Sequence, residues 1–549
     1  MGRPQVEPSS LGRSRAVGAA AIGLARFARR IEHDRRAEAL LRRFGWSTPT
    51  GLVALGEVLL SGGVRGVAPA FRLGTVEGRV PDPIGAAECF ERAIADDPRL
   101  VAAWIGLMRC RAMRGDTAGS DDAHRQALHL APDDVDLHYW RSVTIRLAGK
   151  QRGAMLRSEA EEVRSCLTMV LAHRPSHEQA RVQLTNNLIG SGRFDDAAAA
   201  AWQGGLALPS PADPLPAPER LRSAPDLWRL ALHARELDLG NFSSAYAIKR
   251  DLATAMADRR LAMAPSLAQL DLRARARVYL GEPATAVAEY VDAVRPWNTD
   301  AERLIVDKFV ADVLLRTGDV EPAMAFRHAH LAPYDHVTED RFAGLVTGRR
   351  VAIVGPAPCD LDADLGRFDT ILTTKQLTPW ARSTASVISY YSDASALLDA
   401  DAIMGLLDDG GLSVAVVRQS LIPALGGLPH LAGRFRVMPA EDSTTFQSTR
   451  FGLQRIMYDA LRYRPVELAV FGTDLFVGTH AYTDGYANEV ERIYEPGGYE
   501  TAVSMFVHDY VADFEFTRDL AAVDLIDVTP TLEAILALEP SDYLRRLDR

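Results

Sequence analysis

His508, in the phrase SMFVHDYVADFEFTRDL, stands just ahead of a segment with helical apolar spacing, and imidazole is the side chain best suited to take a proton near neutral pH. Asp509 and Asp513 are close enough in sequence to orient the ring or raise its pKa, so His508 reads either as a general base or as a structural histidine. Upstream, TDLFVGTHAYTDGYA forms a loop of fifteen residues with two glycines, long enough to be functional. It carries Asp474, Tyr482 and Tyr486, and also His480, which competes with His508 for the base. Its tyrosines read as packing or as catalytic groups. Lys375 follows an apolar run in ILTTKQ and reads as a point charge for a phosphate or as a solvated loop residue. Ser448 and Thr449, in TTFQSTRFGLQ, precede an amphipathic stretch reaching Leu461; their hydroxyls read as helix caps or as ligand contacts.

These residues need strands and turns to gather them. The run Val351 to Val354, ended by Gly355, reads as a short buried strand. The turn from Gly355 to Cys359, GPAPC, has small residues that let main-chain N–H groups such as those of Gly355 and Ala357 approach an anion, although its two prolines remove donors. It is not a dinucleotide fingerprint, and no P-loop lysine follows. Further strand-like segments at 370–373, 386–391, 413–417, 467–472 and 524–528 alternate with helical ones. This is the pattern of an α/β domain with a mainly parallel sheet, which binds ligands at the carboxyl ends of its strands.

The order of these pieces resembles the sialyltransferases, more clearly the bacterial than the animal enzymes, over about 200 residues from Arg349 to Pro530. In the bacterial family the first strand ends in a G-N-G-P-S turn that meets the nucleotide; in GPAPC the second proline matches, while Pro356 and Ala357 replace asparagine and glycine. The family's asparagine-glutamine pair after the second strand is Lys375-Gln376, and its serine-threonine-glycine phrase is Ser448-Thr449 with the glycine displaced to Gly452. Its G-x-D phrase is Gly472-Thr473-Asp474, followed eight residues later by Tyr482, and its histidine with an aspartate five residues on is His508 with Asp513. The resemblance implies a Rossmann-like variant of the GT-A fold. It further implies an inverting transfer from a CMP-linked sialic or related nonulosonic acid to a glycan acceptor. In that scheme His508 is the base, Tyr482 holds the departing phosphate, and Gly355, Ala357, Lys375, Ser448, Thr449, Gly472 and Asp474 contact the nucleotide. No metal and no other cofactor is expected. The changes at Pro356, Ala357 and Lys375 leave a different sugar nucleotide open.

Between residues 84 and 334 the sequence is rich in alanine and leucine, and prolines close similar phrases at Pro98, Pro132, Pro175 and Pro209, spaced 34, 43 and 34 apart. Thirty-four is the tetratricopeptide period; the extra nine residues are expected around Lys150 to Glu162. Gly192, Gly281 and Gly318 stand where the turn between paired helices belongs. Pro265, Pro296 and Pro333 continue the phrase after a proline-rich connector at 209–218. The stretch resembles tetratricopeptide repeats, whose concave face would take a protein partner.

The expected whole is therefore multidomain: a basic helical region at 1–83, an all-α array at 84–334, and an α/β domain at 345–549. A net charge of −10 argues against nucleic acid as a partner. Four scattered cysteines indicate neither zinc nor a disulfide framework and suit a reducing cytoplasm. The arginine-rich N-terminal stretch reads as a solvated capping helix, or as an amphipathic helix resting on the inner face of a membrane. Two other readings stay open: a metal-using transferase with Asp362 and Asp364 as ligands, and a non-catalytic scaffold with a degenerate nucleotide site.

Overall fold

A computed structural model describes residues 48–60, 83–152, 155–201, 207–210, 215–263, 267–294, 300–325, 336–357, 359–360, 364–374, 385–391, 400–418, 433–438, 441–478 and 508–548. The basic segment before residue 48 lies outside them. Among the described residues, no helix is long and apolar enough to cross a membrane.

The chain forms two compact units that divide near residue 180, rather than at the expected 334–345. The first unit is built from helices α1 (Pro49–Leu60), α2 (Pro83–Asp96), α3 (Val101–Met113), α4 (Thr117–Leu130), α5 (Val135–Arg152) and most of α6 (Arg157–His173). Phe90 is its fully buried centre, and two helices pass so close that a Cβ on Gly56 or Gly106 would lie 2.6 or 2.3 Å from that ring. Gly115, with φ of 78°, makes the tight turn between α3 and α4, and Asp116 caps α4 through the Gly119 amide. The additional residues expected near 150–162 lengthen a helix pair: α5 and α6 have 18 and 17 residues, against 13 and 14 in α3 and α4.

The second unit continues the helical hairpins with α7 (Glu178–Gly190), α8 (Phe194–Ala201), α9 (Pro218–Ser223), α10 (Asp226–Asp238), α11 (Phe242–Ala262), α12 (Leu267–Tyr279), α13 (Pro283–Val294) and α14 (Asp300–Leu315). Left-handed glycines sit in the turns within the pairs α7/α8, α10/α11 and α12/α13, at Gly192, Gly240 and Gly281. After α15 (His336–Val346) comes a seven-stranded sheet in the order β5-β4-β3-β2-β1-β6-β7, every pair parallel. Its strands are β1 (Arg350–Val354), β2 (Thr370–Thr374), β3 (Ser386–Tyr391), β4 (Val414–Val417), β5 (Phe435–Val437), β6 (Glu467–Phe471) and β7 (Asp527–Val528). The interleaved helices are α16 (Ala400–Asp408), α17 (Gly452–Leu461), α18 (Tyr510–Ala522), α19 (Pro530–Leu536) and α20 (Pro540–Leu547). All five residues of β2 and four of the five in β1 are buried, as a parallel sheet covered on both faces requires. Strand order runs outward from β1 to β5, then returns to the other side of β1 with β6. That reversal opens a crevice between the carboxyl ends of β1 and β6.

Helices α11 to α14 are part of the same unit as the sheet. Asp312 of α14 is buried and accepts hydrogen bonds from the Ser443 amide at 2.7 Å and the Tyr458 hydroxyl at 2.6 Å, and pairs with Lys308. Phe446 packs among Ala253, Ala257 and Ala276, and the Tyr510 hydroxyl donates to the Phe242 carbonyl at 2.9 Å. The helices thus supply buried partners to the α/β part, and no boundary of composition in the sequence marks this.

Candidate active site

At the crevice the two strand ends lock together through glycines. Gly355 N–H donates to the Phe471 carbonyl at 2.8 Å and Ala357 N–H to the Gly472 carbonyl at 2.9 Å. A Cβ on Gly355 would come 2.5 Å from Gly472 O, and one on Gly472, whose φ is 61°, would come 2.7 Å from Gly355 O. Glycine is required on both sides of this junction. The expectation that the turn offers amides to an anion fails at these positions: Gly355 and Ala357 spend theirs on the β6 end, and the prolines have none. Asp360 also faces inward, accepting from the Gly472 amide and the Thr529 hydroxyl, each at 3.2 Å.

Asp474 is buried and accepts from the amides of Phe476 and Gly478, both at 2.9 Å, so it shapes the loop after β6. The residues it clamps include Leu475 and Phe476, non-glycines at φ of 49° and 68°. Two consecutive left-handed residues are strained, and such strain persists only where surroundings enforce it. Pro356, Ala357, Thr374, Phe451, Thr473 and Phe476 line a cleft of about 100 Å³ at this point.

His508 joins the cleft through Phe451, on which its ring is stacked with centroids 4.0 Å apart. Thr449 and His508 form a parallel β-bridge, and His508 Nδ1 lies 2.6 Å from the Thr449 carbonyl. A carbonyl only accepts, so Nδ1 carries the proton and Nε2 holds the lone pair. The ring is neutral: its pKa is lowered to about 3, chiefly by burial, then by the positive charges of Arg455, Lys249 and Arg418. The expectation that Asp509 and Asp513 orient the ring and raise its pKa is corrected. Asp509 caps α18 through the Ala512 amide at 3.0 Å. Asp513 accepts from Arg450 and from the Phe451 amide, each at 3.0 Å, and burial pushes its carboxyl up to about 6.

Ser448 and Thr449 do not cap the following helix: α17 begins at Gly452 with Phe451 as its N-cap, and Asp513 supplies the acceptor from another helix. Lys375 and Tyr482, with His480 and Tyr486, lie outside the described residues. Of the expected contacts, Ala357 and Asp474 line the cleft, Gly355 and Gly472 form the strand junction next to it, and Thr449 with His508 stands beside it. Arg450, which pairs with Asp442 at 2.8 Å as well as with Asp513, was in the phrase around Ser448 but gave no signal of its role. Among the described residues no three His, Cys, Asp or Glu side chains gather as metal ligands; Asp364 caps a short turn through the Gly366 amide, and Asp362 lies outside the described residues.

No family profile matches the chain, and no curated protein matches it. Among solved structures, the complex described as "Structure of Naa15/Naa10 bound to HypK-THB" aligns with 58% of this chain at 15% identity and a TM-score of 0.25. The chain spans 43% of that protein's length. A likeness this loose carries no argument about fold or function.

Proposed function

We propose that the sheet-bearing unit is a glycosyltransferase similar to sialyltransferases, moving a sialic or related nonulosonic acid from a CMP-linked donor to a hydroxyl of a glycan, with the helical hairpins, read as tetratricopeptide-like, engaging a protein partner. The observation that carries it is His508: a neutral imidazole with Nδ1 fixed to a main-chain carbonyl and the lone pair left on Nε2, beside the cleft where strand order reverses. In the reaction the acceptor hydroxyl attacks the anomeric carbon as its proton passes to Nε2, the bond to CMP breaks, and the configuration inverts. Tyr482 donates to the leaving phosphate. The depressed basicity of His508 has a use in this scheme, because Arg455, Lys249 and Arg418 surround it with positive charge. An anionic donor offsets that charge on binding and raises the imidazole toward the working range. The site needs no metal, and the place of work is the cytoplasm or the inner face of a membrane.

A second reading, a non-catalytic scaffold, is favoured by one observation: the amides of Gly355 and Ala357 are already used. Titration calorimetry of the full chain with CMP in chelator separates the two. Saturable binding, stronger for CMP than for UMP, is expected; no heat with either nucleotide would support the scaffold.

A further inference from the structure

Resting on His508 as the base, we propose that Lys249, on helix α11, is a positioning residue that holds His508 in place from the helical layer. The Lys249 ammonium donates to the His508 main-chain carbonyl. That residue is gripped on its other side by Thr449, through the β-bridge and the Nδ1 contact. His508 is therefore held by two parts of the unit: its ring by a strand-like residue before α17, and its main chain by a lysine 259 positions earlier in the chain. The hydrogen bond between the Tyr510 hydroxyl and the Phe242 carbonyl ties the first residue of α18, two positions after His508, to the first residue of α11, seven positions before Lys249. Lys249 is half-buried near Asp509 and Asp513, whose charges oppose the desolvation that lowers its pKa. An ammonium in that place does two things at once. It fixes the main chain that carries the ring, and it disfavours a second positive charge on it.

The charged groups facing His508 come from three elements: Arg455 on α17, Arg418 after β4, and Lys249 on α11. Of these three, Lys249 is the one on the helical layer, and it bonds the main-chain carbonyl of His508. A change in the seating of α11 is thereby transmitted to the base. The array is joined to catalysis through this lysine, in addition to any partner it holds.

The test uses the full-length protein labelled with ¹⁵N-histidine, His508 being assigned with His508→Gln. In Lys249→Met, loss of the charge should raise the His508 pKa by about half a unit or more. The Nδ1–H resonance should also lose protection, and because the misplaced ring outweighs the gain in basicity, kcat should fall by about tenfold with the KM for donor unchanged within about threefold. Lys249→Arg should restore both kcat and the wild-type imidazole pKa. Lys249→Gln keeps a donor but removes the charge, so it should retain the Nδ1–H tautomer while raising the pKa; it decides the matter if the methionine variant fails to fold. An unchanged His508 pKa and tautomer in both the methionine and glutamine variants would overturn the proposal, whatever happens to thermal stability. If neither wild type nor variants transfer sugar, the transferase reading falls, while the resonance data still decide the role of Lys249.

Discussion

A histidine whose Nδ1 is committed to a carbonyl has one nitrogen left for chemistry, and its depressed basicity must show in the protein's response to acid. His508 titrates near 3 in the folded chain against an ordinary 6.5, and Asp442, held down mainly by Arg450, near 2 against 3.8. Both values are lowered on folding, so both contribute stability that is present above the unfolded pKa and lost as pH falls. For His508 the loss runs from about 6.5 to 3; for Asp442 it runs from about 4 to 2. Asp513 has the opposite sign: its carboxyl is raised to about 6, so its contribution is present below about 4 and lost as pH rises toward 6. Comparing thermal midpoints of wild type and His508→Gln isolates the histidine. The advantage of the wild type over the variant should shrink between pH 6.5 and 4, and an advantage that grows on acidification would mean that His508 is charged in the folded protein.

At the scale of elements, the closest constraint is the contact between β1 and β6. Gly472→Ala places a methyl 2.7 Å from a carbonyl oxygen of Gly355 on a backbone at φ 61°. The expected cost is about 1–3 kcal/mol from the backbone alone, with more from the clash. A drop of several degrees in melting temperature, with weaker nucleotide binding, is the predicted outcome; an unchanged midpoint would show that the junction relaxes freely. The sequence made β1, β2, β3, β4 and β6 legible because each is a short apolar run, and buried parallel strands need little else. It hid β5, whose three residues Phe435–Val437 include an arginine. Arg436 is buried in the sheet because Asp459 and Glu339 pair with it from two helices, at separations no local pattern encodes. The site divides in the same way. Gly472 and Asp474 were visible from their place after a strand and His508 from its place ahead of a helix, whereas Lys249 is an ordinary lysine on an ordinary helix until the chain folds.

For the whole molecule, the shift of the unit boundary to about residue 180 changes what a fragment can do. A chain starting at residue 340 lacks Asp312 and with it the acceptor for Ser443 and Tyr458, and it uncovers Phe446. Such a fragment should lose cooperative thermal unfolding, while one starting at residue 181 should keep it; a sharp transition in the shorter fragment would place the boundary back after Pro333. The helical hairpins thus serve two purposes, array in one part and catalytic support in the other. The central claim, transfer from a CMP-linked sugar with His508 as base, is tested most directly by steady-state transfer kinetics of the full chain in chelator, wild type beside His508→Ala and His480→Ala. The expected result is turnover lowered by roughly 10² to 10⁴-fold in His508→Ala, the usual size of a general-base contribution, with nucleotide affinity within about threefold of wild type. Turnover preserved in His508→Ala and abolished in His480→Ala would contradict it.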